Sequence, residues 1–145
     1  MTDGPAQVLI RPFNAGEQRF LLELWKRCGL TGPGSRPDAD IHGCTGNPWS
    51  ELLIAERSHS PVGSVMVGHD HKRGWVHYLA VAPDCRFLGI GRRLMRAAEN
   101  WMRDRYVPRV EATIRPDNLV VRGFYDRIGY RPADFDVFEK NLTHE

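Results

Sequence analysis

The segment from Ala82 to Met95, APDCRFLGIGRRLM, sets Gly89 and Gly91 on either side of Ile90 where an apolar run gives way to a helical one. The first N–H groups of a helix have no intrahelical acceptor, and the macrodipole is positive there. With no Cβ in the way, an anion such as a phosphate can come up to that backbone. Arg86, Arg92 and Arg93 add positive charge close by. The chemistry implied is anion binding in a small cradle, although two glycines at a helix start also serve as turn and packing devices. The spacing excludes two familiar phosphate sites. There is no G-x-x-x-x-G-K-[ST], and RFLGIG is not a G-x-G-x-x-G followed about twenty residues on by a ribose-binding acid.

Histidine is the other chemically loaded residue type. His77 lies in an alternating segment, with the parity to share a face with Leu79 and Val81, and an imidazole titrates in the range a general base needs. A strand histidine can equally be structural, and Asp70 and Tyr78 are further candidates for the base. His69-x-His71 and His42-x-Cys44 lack the partners that would complete a ligand set, so no metal is expected.

These residues must be held by a scaffold. Val8 to Arg11 reads as a first strand, and Phe20, Leu21, Leu24, Trp25 and Cys28 recur at helical spacing over about Ala15 to Cys28. Leu30 to Asn47 is a Gly- and Pro-rich connection in which Pro37 to Cys44 has room for a turn or two of helix. Three strand-like segments follow, Glu51 to Arg57, Pro61 to Gly68 and Gly74 to Val81, linked tightly enough to be antiparallel neighbours. Gly89 to Arg105 is an amphipathic helix, Val110 to Ile114 a strand, and Arg115-Pro116-Asp117-Asn118 leads into a helix through Ile128. The tail GYRPADFDVFEKNL offers one or two more short strands. The expected architecture is one mixed α/β domain spanning 1–145, with ligands where strand carboxyl ends meet helix amino ends.

Composition narrows the function. A net charge of +2 is too mild for the basic face of a nucleic-acid binder, so any anion attraction must be local. No apolar run approaches the roughly 20 residues of a membrane span, and the chain opens without a basic region followed by an apolar one. With an odd number of cysteines, Cys28, Cys44 and Cys85, and no C-x-x-C, a cytoplasmic protein without disulfides is expected.

Arg86-x-x-Gly89-x-Gly91 after VHYLAVAPD, with Asn118 and GFYDRIGY downstream, resembles the GNAT superfamily of N-acetyltransferases over nearly the whole chain. LWKRCGL, VMVGHD, YLAV and YDRIGY are more narrowly similar to the bacterial YpeA-type group. The resemblance implies a mostly antiparallel sheet splayed between its fourth and fifth strands, and acetyl-CoA as co-substrate. Backbone N–H groups of Arg86, Phe87, Leu88, Gly89, Ile90, Gly91 and Arg92 would bind the pyrophosphate. Leu79 and Val81 would meet the pantetheine arm, and Asn118 would hydrogen-bond the cofactor. Many relatives carry a small or polar residue where this chain has Phe87 and a basic or polar one where it has Leu88, but a cradle built from N–H groups does not depend on those side chains.

Acetyl transfer to an amine needs a neutral nucleophile, a stabilised oxyanion and a proton for the leaving thiolate. By the same resemblance Tyr125 is the general acid; as a bare residue it is also an amphipathic core tyrosine. A backbone N–H near Val81 can serve the oxyanion, and His77 is the candidate base. Transfer would be direct, in a ternary complex, because Cys85 lies beside the phosphate loop rather than beside Tyr125. The acceptor would be an amine of a small molecule or a protein, with Asp38 and Asp40 in the long loop available to attract a cation. The rival reading is a non-catalytic acyl-CoA sensor or scaffold of the same fold, and open sheet edges leave room for a homodimer.

Overall fold

A computed structural model describes residues 7–143. They form two compact units, one ending at Thr113 and the other beginning at Ile114.

The first unit is built on a five-stranded sheet in the order β1-β2-β3-β4-β5. Its strands are β1 (Val8–Pro12), β2 (Ser50–Arg57), β3 (Ser60–His69), β4 (Gly74–Val81) and β5 (Val110–Ala112). All neighbours are antiparallel except β4 and β5, which run parallel. A right-handed crossover is the usual way to join parallel neighbours, and here the link carries α3 (Ile90–Arg103).

Helix α1 (Gln18–Arg27) is entered through a short 3-10 turn, where Glu17 accepts the Asn14 N–H at 3.0 Å. The Glu17 carboxylate also pairs with Arg11 of β1, whose Nε donates to Glu56 of β2 at 2.7 Å. One guanidinium thereby ties the helix entry to two strands. Leu21, Leu24 and Trp25 form the buried stripe of α1. Within the long connection, α2 (Pro37–Cys44) is a full eight-residue helix, with Pro37 at its first turn, where a missing N–H costs nothing.

Trp25 reaches Ser64 on one face of the sheet, while Leu94 of α3 lies against Gly63 on the other. The two layers therefore sandwich β3. Close approach of α3 depends on small residues: a Cβ on Gly74 would sit 2.2 Å from the Met102 sulfur. Among the described residues no helix is long and apolar enough to cross a membrane.

The second unit contains α4 (Leu119–Arg127), capped by Asn118, whose Oδ1 accepts the Val121 N–H at 3.2 Å. Gly129 ends it at φ +97°, and the Tyr130 N–H returns to the Tyr125 carbonyl at 2.9 Å. The tail strands expected from the sequence do not form between Arg131 and Thr143. Phe135, Val137, Phe138 and Leu142 are exposed there. Phe135, Val137 and Phe138, set among Asp134, Asp136 and Glu139, carry β-propensity, but a strand exists only where another strand accepts its hydrogen bonds.

Candidate active site

Strand β4 is irregular where the sequence looked regular. Met66 faces His77 and Ser64 faces Ala80, so three steps on β4 match two on β3 and one residue is extra. Tyr78 absorbs the surplus at φ +53°, an unusual conformation for a bulky side chain. Three contacts hold it there. Ser64 Oγ donates to the Tyr78 carbonyl at 2.8 Å and accepts the Trp25 indole N–H at 2.9 Å. The Tyr78 ring stacks on Trp25 with centroids 3.8 Å apart and planes 13° from parallel. The Tyr78 hydroxyl donates to Asp40 of α2.

The bulge corrects the parity read from the sequence. His77 lies opposite Met66 and Val81 opposite Gly63, and positions 63 and 66 face opposite sides of the sheet. His77 and Val81 therefore do not share a face. Instead His77 and the adjacent Tyr78 line one groove, of about 560 Å³, with Leu30, Asp40, Met66 and Trp75. Trp75 can lie in that wall because Gly68 leaves room for it: any Cβ there would lie 1.9 Å from the indole. Although His77 is exposed to the groove, the surrounding protein lowers its pKa below that of a free imidazole, and Asp40 partly opposes this. Burial first, then Asp40, pushes the Tyr78 hydroxyl up, so it stays protonated.

Asp70 is not part of this groove. Its carboxylate accepts the Lys72 and Arg73 N–H groups at 3.0 and 2.9 Å, shaping the β3–β4 turn. His69 Nδ1 accepts the His71 N–H at 3.0 Å, and its ring packs edge-on to Trp49 and Trp101. Cys44 is buried, which pushes its thiol up to about 11. Among the described residues no three His, Cys, Asp or Glu side chains gather as a metal site would need.

On its other edge β4 pairs with β5 through Gly74–Val110, Trp75–Glu111 and Val76–Ala112, and no further. From His77 to Val81 that edge has no β5 partner, which opens the splay expected from the sequence. At the end of the open edge the Val81 carbonyl accepts from the Cys28 thiol at 3.5 Å and from Arg86 Nε at 3.4 Å. Leu79 is half-buried between the bulge and that point.

The chain then turns through Pro83–Cys85 into the glycine segment. Phe87 and Gly89 both take left-handed conformations, at φ +67° and +78°, and Gly89 caps α3. The first bond closing the helix runs from the Arg93 N–H to the Gly89 carbonyl. The N–H groups from Phe87 through Ile90 and Gly91 to Arg92 thus have no backbone acceptor among the described residues. Space above Gly89 is open, the Phe87 ring is wholly in solvent, and Leu88 is half-buried. The Arg86 side chain folds back on Val81 and Cys28, so exposed Arg92 is the side-chain cation at the first turn. Unpaired N–H groups at a helix amino end are the kind of backbone that binds anions.

In the second unit, Tyr125 is 6% exposed, with Phe124 and Tyr130 edge-on at 5.2 and 5.3 Å. Burial pushes its hydroxyl up to about 12. Asn118 serves there as the α4 cap described above.

Sequence reasoning named His77, Tyr78 and Asp40 without bringing them together. It missed the Trp25–Ser64–Tyr78 chain, whose one signal was a serine set among valines in VGSVMV.

Comparison with known proteins gives a consistent result. A family model described as Acetyltransferase (GNAT) family matches residues 19–130. Among solved structures, the aminoglycoside N-acetyltransferase AAC(6')-Iy in complex with CoA superposes with a TM-score of 0.79 at 17% identity, covering 93% of this chain and 95% of that one. The aminoglycoside 6'-N-acetyltransferase AAC(6')-IG from Acinetobacter haemolyticus gives 0.76 at 16% identity, with 94% and 99% covered. A ribosomal-protein-alanine N-acetyltransferase from Brucella melitensis biovar Abortus 2308 gives 0.73 at 16%, with 93% and 99% covered. At these identities the likeness is one of fold.

Proposed function

The chain belongs to the GNAT acetyltransferase family, and from that premise we propose that it works as one domain transferring the acetyl group of acetyl-CoA directly to a primary amine. The observation that carries the reading is the open β4 edge from His77 to Val81 running toward the unpaired N–H groups of the Phe87–Arg92 segment. A pantetheine arm can pair with such an edge as an added strand, while its pyrophosphate meets the helix amino end. Leu79 and Val81 are the proposed backbone contacts, Arg86 to Arg92 the cradle, and Asn118 a further cofactor contact.

The chemistry follows from the groups at hand. His77 takes a proton from the acceptor ammonium, directly or through one water, and its lowered pKa keeps it neutral and ready at pH 7. The amine nitrogen bonds to the thioester carbonyl carbon as the carbonyl π electrons move onto oxygen, where a backbone N–H near Val81 stabilises them. The C–S bond then breaks, and Tyr125, kept protonated by burial, gives its proton to the departing thiolate. As the oxyanion re-forms the carbonyl, the nitrogen's second proton passes through water to the Tyr125 phenolate and His77 returns its own to solvent, so proton count and charge balance without an acetylated enzyme.

Release of CoA thiol from acetyl-CoA, followed colorimetrically across a panel of amines, tests this. Amine-dependent release is expected, and Tyr125→Phe should lower it while acetyl-CoA still binds. Tight acetyl-CoA binding with no release for any amine would instead indicate a sensor.

A further inference from the structure

The groove beside His77 has a chemical character that bears on which amine is taken. Among the described residues its lining contains one carboxylate, Asp40, and no lysine or arginine. The remaining walls include Trp75, Tyr78, Met66 and Leu30, so a body entering beside Asp40 meets aromatic faces and apolar side chains. The Trp75 indole lies directly over Gly68, in space that a Cβ there would fill. The Tyr78 ring is clamped on Trp25, and its hydroxyl orients the Asp40 carboxylate. An aromatic wall next to one anchored anion favours a cation attached to a flat or apolar body. The volume of about 560 Å³ suits a small molecule.

A polycation makes the contrasting demand. Each further ammonium brought into the groove would lose hydration and find no second carboxylate, so extra charge adds desolvation cost without a partner. Selectivity of this kind comes as much from what the lining withholds as from what it offers.

Resting on the transferase reading above, we propose that the groove lined by Asp40, Trp75, His77 and Tyr78 is an acceptor site for small arylalkylamines carrying a single positive charge. Asp40 binds the ammonium, Trp75 and Tyr78 pack on the body, and His77 is beside the nitrogen that reacts.

Calorimetric titration of the full chain with 2-phenylethylamine and with neamine, CoA being present in both, tests the assignment by binding alone. 2-Phenylethylamine should bind more tightly than neamine. Asp40→Asn should weaken it roughly tenfold or more, as expected for loss of one charge-assisted hydrogen bond. Asp40 is exposed on α2, so the variant should keep the wild-type circular dichroism spectrum. Tighter binding of neamine, equal binding by the Asn variant, or no binding of 2-phenylethylamine would each overturn the proposal. CoA thiol release from acetyl-CoA by the same sample across other amines reads the transferase assignment, so failure of either is seen independently of the other.

Discussion

Replacing Ser64 by alanine removes a single oxygen, and the structure says what that oxygen does. Ser64 and Trp25 are both 0% exposed, and Oγ is hydrogen-bonded to the Trp25 indole N–H and to the Tyr78 carbonyl. In Ser64→Ala an N–H and a C=O lose their partner together in the interior. Leaving a buried polar group unsatisfied costs about 1–3 kcal/mol. Two such groups give roughly 3 kcal/mol if the bulge relaxes in part, and a drop in Tm of about 10 °C for a chain of this size. Tyr78, no longer held at positive φ, should also release its grip on Asp40, so amine affinity should fall with stability. Urea unfolding followed by tryptophan fluorescence and circular dichroism measures the first effect. A cycle with Trp25→Phe isolates the bond, because the second removal should cost less once the first partner is gone. A loss below about 0.5 kcal/mol, the range of ordinary surface substitutions, would refute the view that Ser64 fastens the bulge.

Further outcomes follow from the same geometry. Tyr125→Phe keeps the buried ring and removes the acid, so kcat should fall about a hundredfold or more with acetyl-CoA affinity unchanged; an unaltered kcat removes Tyr125 from the chemistry. If His77 is the base, kcat/KM of the wild type should fall as pH drops through a value below 6.5, and His77→Gln should lose that acid limb in a pH–rate profile. Stability should move the same way. His69 and His77 have folded pKa values lowered mainly by burial, so the unfolded chain binds more protons near and below 6.5. Stability is complete above that value and declines as pH falls from it toward the folded pKa values, a change visible as a lower urea midpoint at about pH 5.5 than at about pH 7.5. Gly68→Ala forces a Cβ onto the Trp75 indole; it should cost about 1–3 kcal/mol in urea unfolding, as overpacking does, and a neutral result would mean that Trp75 moves freely.

Much of this fold was legible in the sequence because its signals are local. The apolar spacing of Phe20, Leu21, Leu24 and Trp25 marked α1, and Gly89 marked the start of α3 through the conformation only a glycine takes without strain. The tight links SHSP and HDHKR fixed three antiparallel neighbours. What stayed hidden depends on distant partners. The alternation of WVHYLAV gives no sign that Tyr78 is an extra residue, since the bulge is imposed by Ser64 and Trp25 from other elements. His77 was thus expected beside the wrong companions. Asp40 was visible as a charge in a loop, and only the helix of Pro37–Cys44 brings it to Tyr78. The tail misled for the converse reason: FDVF has strand composition, and composition does not supply a neighbour.

The central claim is that the glycine segment ahead of α3 binds the phosphates of acetyl-CoA through its backbone. Gly89 stands at φ +78° with open space above it, so Gly89→Glu should fold with modest strain and fill the cradle with a carboxylate. Calorimetric titration of acetyl-CoA into the wild type and this variant is the direct measurement. Saturable binding to the wild type, lost in a Gly89→Glu protein of unchanged circular dichroism, is the predicted result. Absence of binding to the wild type, or equal binding by the variant, would contradict it.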